Sequence, residues 1–234
     1  MKNFFKLMFI LLTFYSFTIS SSKAWIADIW FIEDMDAQEL STATESFKEK
    51  ALAAGAKMKN IRSASKVRGD SPGNSTIVIA YYESYKDLMH DITLNSQQPD
   101  MFESTYGQIN QDARSDNAIF SNNSPMPQGG GIGQTVTYAM VEITSGINFL
   151  LNMPKFQEKM QAAGAKVVVD SMGCAMCGQS VLPANGMIYF AAANPQDMGD
   201  AMDIFATDEM QRWVFANIAP HVNIIDGGMN IYNN

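Results

Sequence analysis

Short apolar or alternating segments take turns along this chain with stretches whose apolar positions recur every three to four residues, and the order runs twice. Residues 26–33 (IADIWFIE) and 135–143 (TVTYAMVEI) read as strands. Each is followed by a helical stretch that runs into Gly55 or Gly164, where a left-handed C-terminal cap is wanted, with Lys57 or Lys166 just beyond. Second strands follow, KMKNIRSASKV and KVVVDSM, then turns rich in Gly, Pro and Asn, RGDSPGNS and GCAMCGQSVLPANG. Third strands, TIVIAYY and MIYFAAA, lead into helices beginning near Tyr85 and Pro195. A shorter helical piece and a last weak strand, near 117–120 and 222–231, close each copy.

The two runs share more than pattern. FKEKALAAGAK (47–57) returns as FQEKMQAAGAK (156–166), eight of eleven positions identical at an offset of 109, and Glu33 falls on Glu142 at the same offset. The third strands match at 110, a net change of one residue that a loop absorbs cheaply. This reads as an internal tandem duplication of a β-α-β-β-α-β unit. The predicted class is α+β: two tandem ferredoxin-like units of roughly a hundred residues, each large enough for its own core, pairing as an intramolecular α+β barrel.

The AAG helix end, the hairpin with its Gly/Pro/Asn turn, and the aromatic-ended third strand (Ile79, Ala80, Tyr81, Tyr82) resemble the dimeric α+β barrel superfamily, which includes antibiotic-biosynthesis-monooxygenase-like domains. The resemblance implies a cavity, commonly between sheet and helices, and a range of activities: cofactor-free oxygenation of aromatic substrates, haem degradation, isomerisation, or no catalysis. In strand one, Ala27, Ile29, Phe31 and Glu33 share one face and pair by offset with Val136, Tyr138, Met140 and Glu142. Which face lines a cavity is open at this stage. Tyr81, Tyr138, Glu33, Glu142 and His221 are the ligand-cavity candidates, the two glutamates as a pseudo-symmetric pair.

Residues 1–24 carry Lys2 and Lys6 ahead of an apolar run and small residues, the pattern of a cleaved secretory signal. The expected organisation is then a first unit at 25–121, a Gly/Pro linker at 122–134 and a second unit at 135–234, exported to a periplasmic or extracellular space. Cleavage removes three lysines and no acid, leaving 13 basic against 24 acidic residues, a formal charge of −11. Such a surface disfavours nucleic acid and anionic membrane as partners. The linker string GGGIG lacks the lysine and the strand-to-helix context of a phosphate loop.

Cys174 and Cys177 lie in SMGCAMCGQS, predicted as the hairpin after the second strand. An exported pair of thiols favours a disulfide, a redox role would want the first Cys at a helix N-terminus, and Met172 and Met176 beside the pair make a soft-metal set suited to Cu(I). His90 and His221 have no counterpart in the other copy, which disfavours haem ligation. With no catalytic motif in the sequence, the expectation is an exported, non-catalytic protein, a pseudo-dimer within one chain, that binds a small apolar or aromatic ligand or a protein partner. It is expected to use no cofactor beyond a possible soft metal ion. The alternatives are a cofactor-free monooxygenase-like enzyme on an aromatic substrate, and soft-metal binding at the cysteine loop.

Overall fold

Four strands of the first half, β1 (Trp25–Ile32), β2 (Asn60–Gly69), β3 (Thr76–Tyr82) and β4 (Ser115–Asn122), are interspersed with α1 (Ala37–Ala53), α2 (Tyr85–Gln97) and α3 (Pro99–Glu103). The second half repeats the order: β5 (Thr135–Ile143), α4 (Gly146–Ala162), β6 (Val167–Cys177), β7 (Gly186–Ala192), α5 (Pro195–Phe205), α6 (Asp208–Asn217), a 3-10 turn (Ala219–His221) and β8 (Val222–Tyr232). The structure, a computed structural model, describes residues 25–32, 36–69, 76–107, 115–122, 134–177 and 183–232.

Side chains at the helix starts satisfy backbone donors that the helices leave over. Asp36 accepts from the amides of Gln38 and Glu39 at 2.9 Å, and Ser84, Asn194 and Thr207 cap α2, α5 and α6 in the same way. Both AAG ends are built alike. Gly55 and Gly164 have φ of +95° and +96°. The Ala56 and Ala165 amides reach back to Ala51 and Met160, while those of the glycines reach Leu52 and Gln161, the paired bonds of a Schellman motif. Just beyond the first of these ends the chain is pinned: the Asp91 carboxylate on α2, buried, accepts from the amides of Lys57 at 2.7 Å and Met58 at 3.0 Å.

All strand pairs are antiparallel, and the two halves have the same order, β4-β1-β3-β2 and β8-β5-β7-β6. β8 bonds to β2 and β4 bonds to β6, which closes an eight-stranded barrel. The fold is therefore the expected α+β barrel of two tandem ferredoxin-like units within one chain. The register also settles the open question of faces. Ala27, Ile29 and the Tyr81 opposite Ala27 point into the barrel, as do Val136, Tyr138 and Met140. Ile26, Val78, Val141 and Phe190 point outward onto the helices.

Three cores result, one inside the barrel and one under each set of helices. The two helix-side layers are filled by side chains. Trp30, Phe47, Phe102 and Tyr106 interlock in the first, and Phe156 stacks on Trp213 at 5.8 Å in the second. Trp213 is thus core.

Two segment boundaries differ from the sequence reading. β6 runs on to Cys177, because β4 offers it a partner: Cys174 lies opposite Phe120 and Cys177 opposite Ala118, across a bulge. The cysteines therefore belong to a strand and not to a turn; glycine-rich composition signalled a turn, and a partner strand far away in sequence overrode it. Asn122, counted with the linker, is the buried last residue of β4.

An ideal Cβ at Gly55 or Gly164 meets nothing within 4 Å, so the cost of a side chain there is purely backbone strain. Gly55→Ala and Gly164→Ala are each expected to lower the unfolding free energy by about 1–2 kcal/mol, read from the urea midpoint. An unchanged midpoint would remove the assignment of the left-handed caps.

Candidate functional site in the barrel core

A barrel of eight strands leaves an interior just wide enough for side chains to fill. Here that interior is apolar along most of its wall, but tyrosines intrude on it. Tyr81 of β3, Tyr138 of β5, Tyr189 of β7 and Tyr232 of β8 are all buried within the one core cluster, beside Trp25, whose ring lies 5.9 Å from that of Tyr81. A hollow of about 20 Å³ remains, on which Tyr81, Tyr138, Tyr232 and Asn230 converge among isoleucine, valine and methionine side chains. Burial pushes the Tyr138 hydroxyl up to about 12, helped by the nearby Asp226 charge. It also pushes Tyr189 and Tyr232 above the ordinary tyrosine range, with Asp170 reinforcing the first and the neighbouring Tyr81 phenol the second. At neutral pH these phenols are uncharged hydrogen-bond donors.

The junctions between the two half-sheets are built differently. Where β2 meets β8, the Arg62 guanidinium sits 4.5 Å over the Tyr232 ring, and Asn230, 2% exposed, has a side-chain oxygen with no partner among the described residues. The strand pairings make Phe120 and Asn122 of β4 the positions equivalent to Asn230 and Tyr232, Ala191 the equivalent of Tyr81, and Ile29 the equivalent of Tyr138. At that β4–β6 junction the polar groups are mutually satisfied: the Asn122 amide donates to Asp170 at 3.1 Å and to the Tyr189 hydroxyl at 3.2 Å. The β2–β8 seam is the polar, incompletely paired one, and it is the candidate site.

Of the residues singled out from sequence, the structure brings Tyr81, Tyr138 and Met172 together in this core, with Cys174 packed against it. Glu33 lies outside the described residues. Glu142 is half-buried at the strand end, accepts from the Asn223 amide at 2.9 Å and does not line the hollow. His221 sits in the 3-10 turn, where its carbonyl accepts from Thr144. The soft-metal set does not assemble: Met172 is 1% exposed inside the barrel while Met176 is 56% exposed outside, and the Cys177 side chain lies outside the described residues. No three His, Cys, Asp or Glu side chains gather for a metal among the described residues. Sequence reasoning missed Arg62, Asn230, Tyr189 and Tyr232. Tyr189 and Tyr232 were legible as aromatic positions of predicted strands; the convergence was not.

No protein-family model matches the sequence, and no curated protein sequence matches it significantly. Solved structures do resemble the fold. A proposed monooxygenase of Fusobacterium nucleatum is 11% identical with a TM-score of 0.58, covering 90% of this chain and 94% of that one. A proposed monooxygenase of Lactobacillus acidophilus is 12% identical with a TM-score of 0.52, covering 90% and 95%. A chlorite dismutase variant of Candidatus Nitrospira defluvii is 10% identical with a TM-score of 0.50, covering 91% and 92%.

These are enzyme names on a shared scaffold, and they overturn the expectation of a non-catalytic binder, which rested on the lack of a sequence motif. The expectation that the chain is not an enzyme falls with it. So does the expectation of no cofactor, which has no footing on a fold shared with a chlorite dismutase. The residues described do not, however, fit haem. The hollow is far below the several hundred Å³ of a cofactor pocket, and neither His90, half-exposed and bonded to Asp91 at 3.0 Å, nor His221 faces it.

Because the native state holds Tyr82, Tyr106, Tyr138, Tyr189 and Tyr232 neutral above their unfolded range, their contribution is intact below about pH 10 and is lost as pH rises beyond it. The urea midpoint should hold steady up to about pH 10 and then fall, each such phenol adding about 1.4 kcal/mol per pH unit to the slope. Phenolate absorbance from these residues should appear only as the protein unfolds. Titration of all eight tyrosines near pH 10 in folded protein would contradict the burial described.

Proposed function

We propose that the chain is a monooxygenase-like enzyme acting on a small aromatic substrate at the β2–β8 seam. The observation that carries the reading is the gathering of Tyr81, Tyr138, Tyr232 and Asn230 at one junction of the barrel, where the equivalent positions of the other junction hold Ala191, Ile29, Asn122 and Phe120. The likeness of the scaffold to two proposed monooxygenases supports it. An electron-rich hydroxyarene would lie at the rim, where half-buried Phe31 offers a ring face and Arg62 a positive charge. Neutral phenol donors held in a dry core stabilise negative charge growing on a substrate oxygen, and they do so without reorganising. The overall reaction is balanced by the substrate itself: the phenolic O–H, the ring C–H para to it and O2 become the two C=O groups of a quinone and water, so the substrate supplies both electrons.

Three further readings belong with this one. The match of 47–57 with 156–166, the common strand order and the twin Schellman ends support a duplication behind the two halves. Residues 1–24 retain the pattern of an export signal, which agrees with reading Cys174 and Cys177 as a disulfide within β6; Cys174 is not a free thiol.

The test is oxygen uptake by the purified protein with a panel of electron-rich hydroxyarenes, with labelled dioxygen to trace the product oxygen. The expected result is uptake matched by a product that has gained one labelled oxygen and lost two hydrogens, with kcat/KM lowered about tenfold or more in Tyr138→Phe. A folded protein that consumes no oxygen with any of the panel would remove the reading.

A further inference from the structure

The first helix of each half covers its sheet with the same face but shows solvent a different one. At the offset of 109, α1 and α4 align end to end, and the buried Leu40, Thr44, Phe47 and Ala51 of α1 fall on Phe149, Met153, Phe156 and Met160 of α4. On the outward side the copies part. Ile147, Leu150, Leu151 and Pro154 form an exposed apolar stripe along about two turns of α4, at the i, i+3, i+4, i+7 spacing of one helix face. Ile147 is 77%, Leu150 57% and Leu151 61% exposed. The matching positions of α1 hold Gln38, Ser41, Thr42 and Glu45, so packing on the sheet does not ask for apolar side chains there. The neighbouring helix extends the face. Asn152 donates to the Asn217 carbonyl at 3.0 Å and Lys159 meets Glu209 at 3.3 Å, which makes α6 antiparallel to α4 and sets Phe215, 67% exposed, at the level of the stripe.

The stripe is its own complement, because its four positions are spaced symmetrically about the midpoint between Leu150 and Leu151. Two α4 helices packed antiparallel on a two-fold axis at that point set Ile147 of each copy against Pro154 of the other, and Leu150 against Leu151. Every apolar side chain then faces an apolar one. The stripe carries no charge, in a chain of formal charge −8 whose copies repel one another elsewhere and which anionic membranes repel as well. Its apolar surface together with Phe215 is on the order of 500 Å², at the upper end of what a monomer leaves in one patch. Two such faces together reach about the 1,000 Å² at which an interface becomes specific. We infer that the protein forms a weak two-fold dimer with a second copy of itself through antiparallel α4 helices. The contact lies on the outer side of the helices, and it is independent of any chemistry inside the barrel.

Sedimentation equilibrium of the full chain over a range of concentrations tests the dimer. Wild type should pass from monomer to dimer in the micromolar range and go no further, since a two-fold contact closes on itself. Leu150→Glu and Leu151→Lys, both at exposed positions, should keep the wild-type melting temperature and stay monomeric alone. Mixed, they should form a one-to-one dimer, because the glutamate of one copy then meets the lysine of the other. Thr42→Glu, at the matching position of α1, should dimerise as wild type does. A monomeric wild type would overturn the inference, whether or not it binds vesicles or another protein instead. So would a dimer that survives Leu150→Glu, or a mixture of the two variants that stays monomeric. Should the variants not fold, hydroxyl-radical labelling of wild type decides: Ile147, Leu150 and Leu151 should be shielded above the dissociation constant and open below it, and labelling that does not change with concentration would overturn the dimer.

Discussion

Everything in this barrel depends on two strands that belong to both halves at once. β8 leaves β5 to bond with β2, and β4 leaves β1 to bond with β6. A four-stranded sheet standing alone would expose edge amides and carbonyls and, on its inner face, a row of isoleucine, valine, tyrosine and methionine side chains. Pairing the halves removes both liabilities together, since closure is what abolishes sheet edges. The helices then cover only the outer faces, and the chemistry is left inside.

The interior so enclosed is a chemically unusual place for tyrosine. A hydroxyl taken from water must find a partner or incur the cost of its desolvation, and the two junctions meet that demand in different ways. At one, Asn122 links Asp170 to Tyr189, so those three side chains satisfy one another within the protein. At the other, a cation lies over a phenol ring and a buried amide oxygen is left over. The halves share strand order and helix ends, so this divergence is confined to the side chains at the seams.

Much of the architecture could be read from the chain before any coordinates. The period-two strands, the AAG ends and the constant offset between copies are local signals, and local signals carry element type and repeat order. The faces of β1 and β5 were ambiguous for a physical reason: both are buried, so apolar character runs on both sides and alternation cannot tell inside from outside. The cysteines misled because glycines near Cys174 mimic a turn when the partner strand, β4, is some fifty residues away. At the site, Tyr81 and Tyr138 stood out as aromatic positions of strands, whereas Asn230 and Arg62 looked like ordinary polar residues. Nothing local marks a residue that becomes special only by facing another strand.

The same separation has a bearing on how the molecule is assembled. Within each half the longest pairings, β1 with β4 and β5 with β8, join residues nearly a hundred positions apart, such as Trp25 with Asn122, but the β2–β8 seam brings together residues still more distant, such as Ala64 and Tyr232. Loop-closure entropy must be met before such a contact yields any stabilisation, and topologies dominated by distant pairings fold slowly. Tyr138, Asn230 and Tyr232 already share the β5–β8 pair, and Tyr81 on β3 joins them only when the β2–β8 seam zips. A chain that has folded its halves but not joined them has helices, sheets and secondary structure in full, and an incomplete site.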